Sequence, residues 1–88
     1  MKRFHPLPGL LWVKHGEAVL IVNEEGNAQI LTEAEAALWR WLNQSFSWQD
    51  LLDLYSALLS VPIVEGETHL LETLQKWVTT GLLEVHSG

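Results

Sequence analysis

The side chains of this 88-residue chain that could do chemistry are four histidines (His5, His15, His69 and His86), eleven carboxylates and five tryptophans. Cysteine is absent, which excludes a disulfide framework, a thiolate zinc site and a cysteine nucleophile. A hydroxyl nucleophile would need a base and an orienting acid beside it. None of the histidines stands in a spacing that supplies them. No His-x-x-x-His or Glu-x-x-His spacing occurs, so no metal site is expected. Glu24 and Glu25 fall in a turn, and Glu33 and Glu35 fall in a first helical turn, where a helix N-terminus favours negative charge. Gly9, Gly16, Gly26, Gly66 and Gly81 are scattered and build no phosphate-cradling loop. These patterns predict no catalytic residue, no metal and no cofactor, hence a binding module rather than an enzyme.

The tryptophans are Trp12, Trp39, Trp41, Trp48 and Trp77. A small domain fills its core with such residues or uses them as anchors for a partner. Trp41 and Trp77 fall on apolar helical stripes and are expected inside. Trp39 lies about 200° around the helix from Trp41, so the two cannot share one inward face.

Two kinds of element must position these residues. Over the first thirty residues, Leu10 to Lys14, Ala18 to Val22 and Ala28 to Leu31 are short apolar or β-branched runs separated by turn residues. They predict a three-stranded antiparallel meander, with Gly26 at positive φ in the turn Asn23–Asn27. From Thr32 the period becomes helical. Thr32-x-x-Glu35 has the pattern of a capping box, and Ala34, Ala37, Leu38, Trp41 and Leu42 recur on one face. Ser47 opens a second helix with Asp50 three residues on, its apolar face running through Leu51, Leu54, Tyr55, Leu58 and Leu59. Pro62 and Gly66 mark residues 60–66 as a loop. A third helix is expected over Glu67 to Thr80, with Leu70, Leu71, Leu74, Trp77 and Val78 on one arc and Gly81 as its stop. Leu82 to Val85 is an apolar tail expected to fold back on the core.

Composition narrows the setting. The chain is 48% hydrophobic and 18% charged, too apolar to stay disordered, and its net charge of −6 argues against nucleic acid as a partner. The apolar run Leu10–Val13 is interrupted by Lys14-His15-Gly16, too early for a signal peptide, and no run is long enough to span a bilayer. A soluble, cytoplasmic protein without a membrane partner is expected.

The arrangement resembles a known family. The meander followed by Thr32-Glu33-Ala34-Glu35-Ala36-Ala37-Leu38-Trp39-Arg40-Trp41-Leu42 is similar to the PqqD-like proteins, in which a strand end leads into a small-residue helix start and a Leu/Ile-Trp-x-x-Leu core. Leu70-x-x-Thr73-Leu74-x-x-Trp77-x-x-x-Gly81-Leu82-Leu83 resembles the closing helix of that family. The likeness runs from about Leu10 to Leu83. Thr32 stands where the family has Asn, His69 where it has Asp and Thr73 where it has Phe.

The resemblance implies a single domain of α+β class, winged-helix-like, with a three-stranded antiparallel sheet followed by a three-helix bundle. It further implies a stand-alone recognition element for ribosomally synthesised, post-translationally modified peptides, such as lasso or radical-SAM-modified peptides. Such a domain binds the leader segment of a precursor peptide as an added strand. It then presents the peptide to a modifying enzyme such as a leader protease, a cyclase or a radical SAM protein. The implied peptide-binding residues are Ala28, Gln29, Ile30 and Leu31 on the third strand and His69, Leu70, Thr73, Leu74, Lys76 and Trp77 on the third helix.

Elementary chemistry is compatible with this. A short strand at a sheet edge leaves backbone N–H and C=O groups that an extended peptide can complete. A proline at Gln29 is expected to delete one such edge donor. Leu70, Thr73, Leu74 and Trp77 are read either as an apolar groove wall or as core. Lys76 could meet an acidic leader residue or simply be solvated. Two other classes share the layout: a winged-helix DNA binder, whose third helix should carry several cations, and a scaffold subunit that forms a homodimer through its edge strand.

Overall fold

The computed structural model describes residues 2–44 and 46–87, the side chains of residues 2 and 87 excepted. The elements run β1 (Lys2–Pro6), β2 (Leu11–His15), β3 (Ala18–Val22), β4 (Ala28–Leu31), α1 (Glu33–Leu42), α2 (Trp48–Leu59), α3 (Ile63–Thr79) and β5 (Leu83–Ser87). The expected meander is present as an antiparallel sheet in the order β2-β3-β4. Gly16, at φ 61°, makes the two-residue β2–β3 turn. Gly26, at φ 86°, closes the β3–β4 hairpin, where the Asn23 side-chain carbonyl also accepts from the N–H groups of Glu25 and Asn27.

A second sheet was not anticipated. β1 pairs antiparallel with β5, Phe4 opposite Val85, so the apolar tail folds back against the start of the chain. β1 carries no period of its own, and its partner is supplied from the far end of the sequence.

The inner face of the three-stranded sheet carries Val19, Ile21 and Leu31, all buried. They pack with Leu38, Trp39, Leu51, Tyr55, Leu70, Leu74, Trp77, Leu82 and Leu83 in one core. Within it Trp39 stands edge-to-face with both Trp12, at 6.4 Å between ring centroids, and Trp77, at 5.8 Å. Trp39 is completely buried and Trp41 only half-buried, the reverse of the stripe expected from sequence. Ala36, Ala37, Leu38 and Trp39 are buried in succession. Helix α1 is enclosed on more than one side, and a single-stripe pattern does not describe it.

Helix starts differ in how they are made. Ser47 caps α2 as expected, its Oγ accepting from the Asp50 N–H at 3.1 Å. The expected capping box at Thr32 does not form: the Thr32 side chain makes no cap bond, and the Glu35 carboxylate is engaged elsewhere. Helix α3 begins at Ile63, one turn earlier than expected. Pro62 sits just before the first turn, where its missing N–H costs nothing. Gly66 lies inside the helix and is buried against α2. A Cβ there would run into Ser56 Oγ and lie 2.7 Å from Ser56 Cβ. That glycine permits a close helix crossing and does not break the helix.

Candidate functional site

The backbone of β4 decides what its edge can do. Register pairs Val22 with Ala28, Ile21 with Gln29, Leu20 with Ile30 and Val19 with Leu31, and it continues to Asn23 and Asn27, where the Asn23 N–H donates to the Asn27 carbonyl at 3.0 Å. Bonded and non-bonded pairs alternate in an antiparallel ladder. Gln29 and Leu31 therefore exchange bonds with β3, while Ala28 and Ile30 turn their N–H and C=O groups outward. The two-residue β2–β3 turn gives the same phase, because it makes His15 and Ala18 a bonded pair and commits Ala18, Leu20 and Val22 to β2. No strand among the described residues lies beyond β4. The expectation that Gln29 supplies an edge donor is corrected by this phase: its N–H is spent on β3, and the free donors belong to Ala28 and Ile30.

The other free edge, β2, contains Lys14 and His15, and charge on an edge strand discourages pairing. The β4 sequence Ala-Gln-Ile-Leu carries no charge. β4 also meets the end of α3: the Gln29 side-chain amide donates to the Thr80 carbonyl at 3.2 Å. One further group fixes this corner. Glu35 Oε1, on the first turn of α1, accepts from Lys76 Nζ at 2.6 Å and from the Trp77 indole N–H at 3.2 Å. The chain leaving β4 is thereby tied to α3, and the edge has a fixed helical neighbour.

The predicted residues fall into three groups. Ala28 and Ile30 are exposed, Ile30 to 68%, and sit on the open edge with half-buried Gln29 between them; Leu31 is buried beneath. His69 and Lys76 are exposed on α3, Lys76 paired with Glu35. Thr73 is half-buried, its hydroxyl 3.3 Å from Tyr55 OH. Leu70, Leu74 and Trp77 are fully buried in the protein's own core. The expected open apolar wall is in this structure a packed interior that supports α3 from behind. Glu35 and Thr80 were missed: a carboxylate in a capping pattern and a threonine before a stop glycine give no local sign of contacts made 41 and 51 residues away.

No three His, Cys, Asp or Glu side chains converge as metal ligands among the described residues. No helix among them is long and apolar enough to cross a membrane.

No family model matches the chain, and no curated protein matches it. Among solved structures, TbiB1 in complex with the TbiA(beta) leader peptide is similar in fold, with a TM-score of 0.84 at 18% identity, over 96% of this chain and 99% of that one. The chain thus has the α+β, winged-helix-like fold expected from its sequence, and TbiB1 is similar to it in fold.

Proposed function

We propose that this chain is a peptide-recognition element that takes up the leader segment of a ribosomally synthesised precursor peptide as a fourth strand beside β4. It then presents the remainder to a modifying enzyme such as a leader protease, a cyclase or a radical SAM protein, in the cytoplasm. The carrying observation is the uncharged β4 edge, on which the outward N–H and C=O groups of Ala28 and Ile30 lie beside the end of α3. Main-chain bonds to these groups supply affinity, and side chains around them supply selectivity. Ala28, Gln29, Ile30 and Leu31 form the receiving strand, and Lys76, its charge paired with Glu35, stands beside it on α3. His69 and Thr73 flank it on α3, with Leu70, Leu74 and Trp77 as buried support. TbiB1, with the same fold, was solved with a leader peptide bound.

A winged-helix DNA-binding role fits less well. Helix α3 carries Lys76 as its only Lys or Arg against Glu65, Glu67 and Glu72, and Lys76 is already paired with Glu35. Fluorescence polarisation with labelled synthetic leader peptides tests the proposal. Saturable binding that weakens when the peptide backbone is N-methylated supports it. Binding indifferent to N-methylation contradicts it.

A further inference from the structure

The outer face of the β2-β3-β4 sheet is uncovered, and it is apolar. Alternation puts Leu11, Val22 and Ala28 in one cross-strand row and Val13, Leu20 and Ile30 in the next. Leu11 is 76% exposed and Val13 58%, Ile30 is also exposed, and Leu20 and Val22 are half-buried. An antiparallel sheet with one buried face ordinarily turns polar residues to solvent. Here the two rows hold no charged or polar side chain, in a chain with eleven acidic residues elsewhere. Leu11, Val13 and Ile30 alone leave roughly 350 Å² of apolar surface uncovered, the size of the largest patch on a typical monomer and often functional.

We infer that this face packs against the same face of a second copy of the chain, giving a two-sheet sandwich about a two-fold axis parallel to β3. Such an axis reverses the strand order across the interface. Leu11 then meets the small Ala28 of the second copy, Val13 meets its Ile30, and Leu20 and Val22 lie on the axis against themselves. Leu11 is large against small Ala28, Val13 and Ile30 are both β-branched, and Leu20 and Val22 face their own copies, so the same patch serves on both sides as an isologous contact requires. With rims included, two copies bury on the order of 1,000 Å², at the lower limit for a specific interface, so the dimer is reversible. The inference is independent of the peptide reading. In-plane strand addition uses the β4 edge, which a face-to-face dimer leaves open.

Sedimentation velocity of the full chain from low to high micromolar concentration tests it. The expected result is a concentration-dependent dimer. Val13→Glu should weaken it at least tenfold, because a buried unpaired carboxylate would face an apolar partner. Val64→Glu, at an 80% exposed position on α3, should leave it unchanged. Circular dichroism of each variant confirms folding, and Leu11→Gln, a milder change on the same face, should weaken the dimer in the same direction. A wild-type chain that stays monomeric throughout overturns the inference. So does a dimer that survives both Val13→Glu and Leu11→Gln, or one lost equally in Val64→Glu.

Discussion

Replacing Ile30 or its neighbour Gln29 with proline separates binding from folding, because the ladder phase gives the two N–H groups opposite directions. At Ile30 the lost N–H is free and the side chain is exposed, so proline on this edge should cost under about 1 kcal/mol of stability. An added peptide strand loses its partner there. One of its carbonyls is left unpaired, a penalty of about 1–3 kcal/mol, or roughly 5- to 150-fold in Kd. At Gln29 the lost N–H serves β3, and the carbonyl it leaves belongs to Ile21, which is 1% exposed. The side-chain bond from Gln29 to the Thr80 carbonyl goes as well. The unpaired buried carbonyl and the lost bond together should cost about 3 kcal/mol of stability. Urea unfolding followed by tryptophan fluorescence measures the first quantity, and fluorescence polarisation with the leader measures the second. Gln29→Pro as stable as wild type, together with Ile30→Pro binding at full strength, would refute the assigned phase and the strand-addition model with it.

Four further outcomes follow from the packing and the β3–β4 turn. Gly66→Ala should destabilise the fold by about 1–3 kcal/mol in urea titrations despite alanine's better helix propensity, because its Cβ meets Ser56. Ser56→Ala should be neutral or stabilising in the same assay, since Ser56 Oγ is buried without a protein partner. Glu35→Ala should cost about 1–3 kcal/mol by stranding the Trp77 indole N–H, whereas Lys76→Ala should cost under about 1 kcal/mol because that ion pair is solvent-exposed; equal losses would contradict this ranking. Asn23→Ala removes the acceptor of two turn N–H groups and should lower the melting temperature by several degrees, about 1 kcal/mol in a domain of this size.

Local signals carried much of the fold. The runs Ala18 to Val22 and Ala28 to Leu31 and the Ser47 cap are each readable within a dozen residues, and each stands where expected. The α2 stripe is displaced around the helix, with Leu52 and Ser56 buried and Leu54 and Leu58 exposed. What escaped depends on distant partners. Lys2 to Pro6 becomes a strand only because Leu83 to Ser87 lies alongside. Gly66 reads as a breaker until Ser56 is known to press on it. Trp39 looks like an outward residue unless α1 is known to be enclosed by sheet and helices together. The same division applies to the site. The open β4 strand was legible from its position and length, but the phase of its free groups required the register, and the roles of Glu35 and Thr80 required α3 in place.

Backbone amide exchange, followed residue by residue by NMR with and without the leader peptide, reads the central claim at the atoms it concerns. In the free protein the amides of Gln29 and Leu31 should exchange slowly and those of Ala28 and Ile30 quickly; adding peptide should slow the second pair while leaving the first nearly unchanged. A peptide that binds while Ala28 and Ile30 continue to exchange at their free rates would contradict the account.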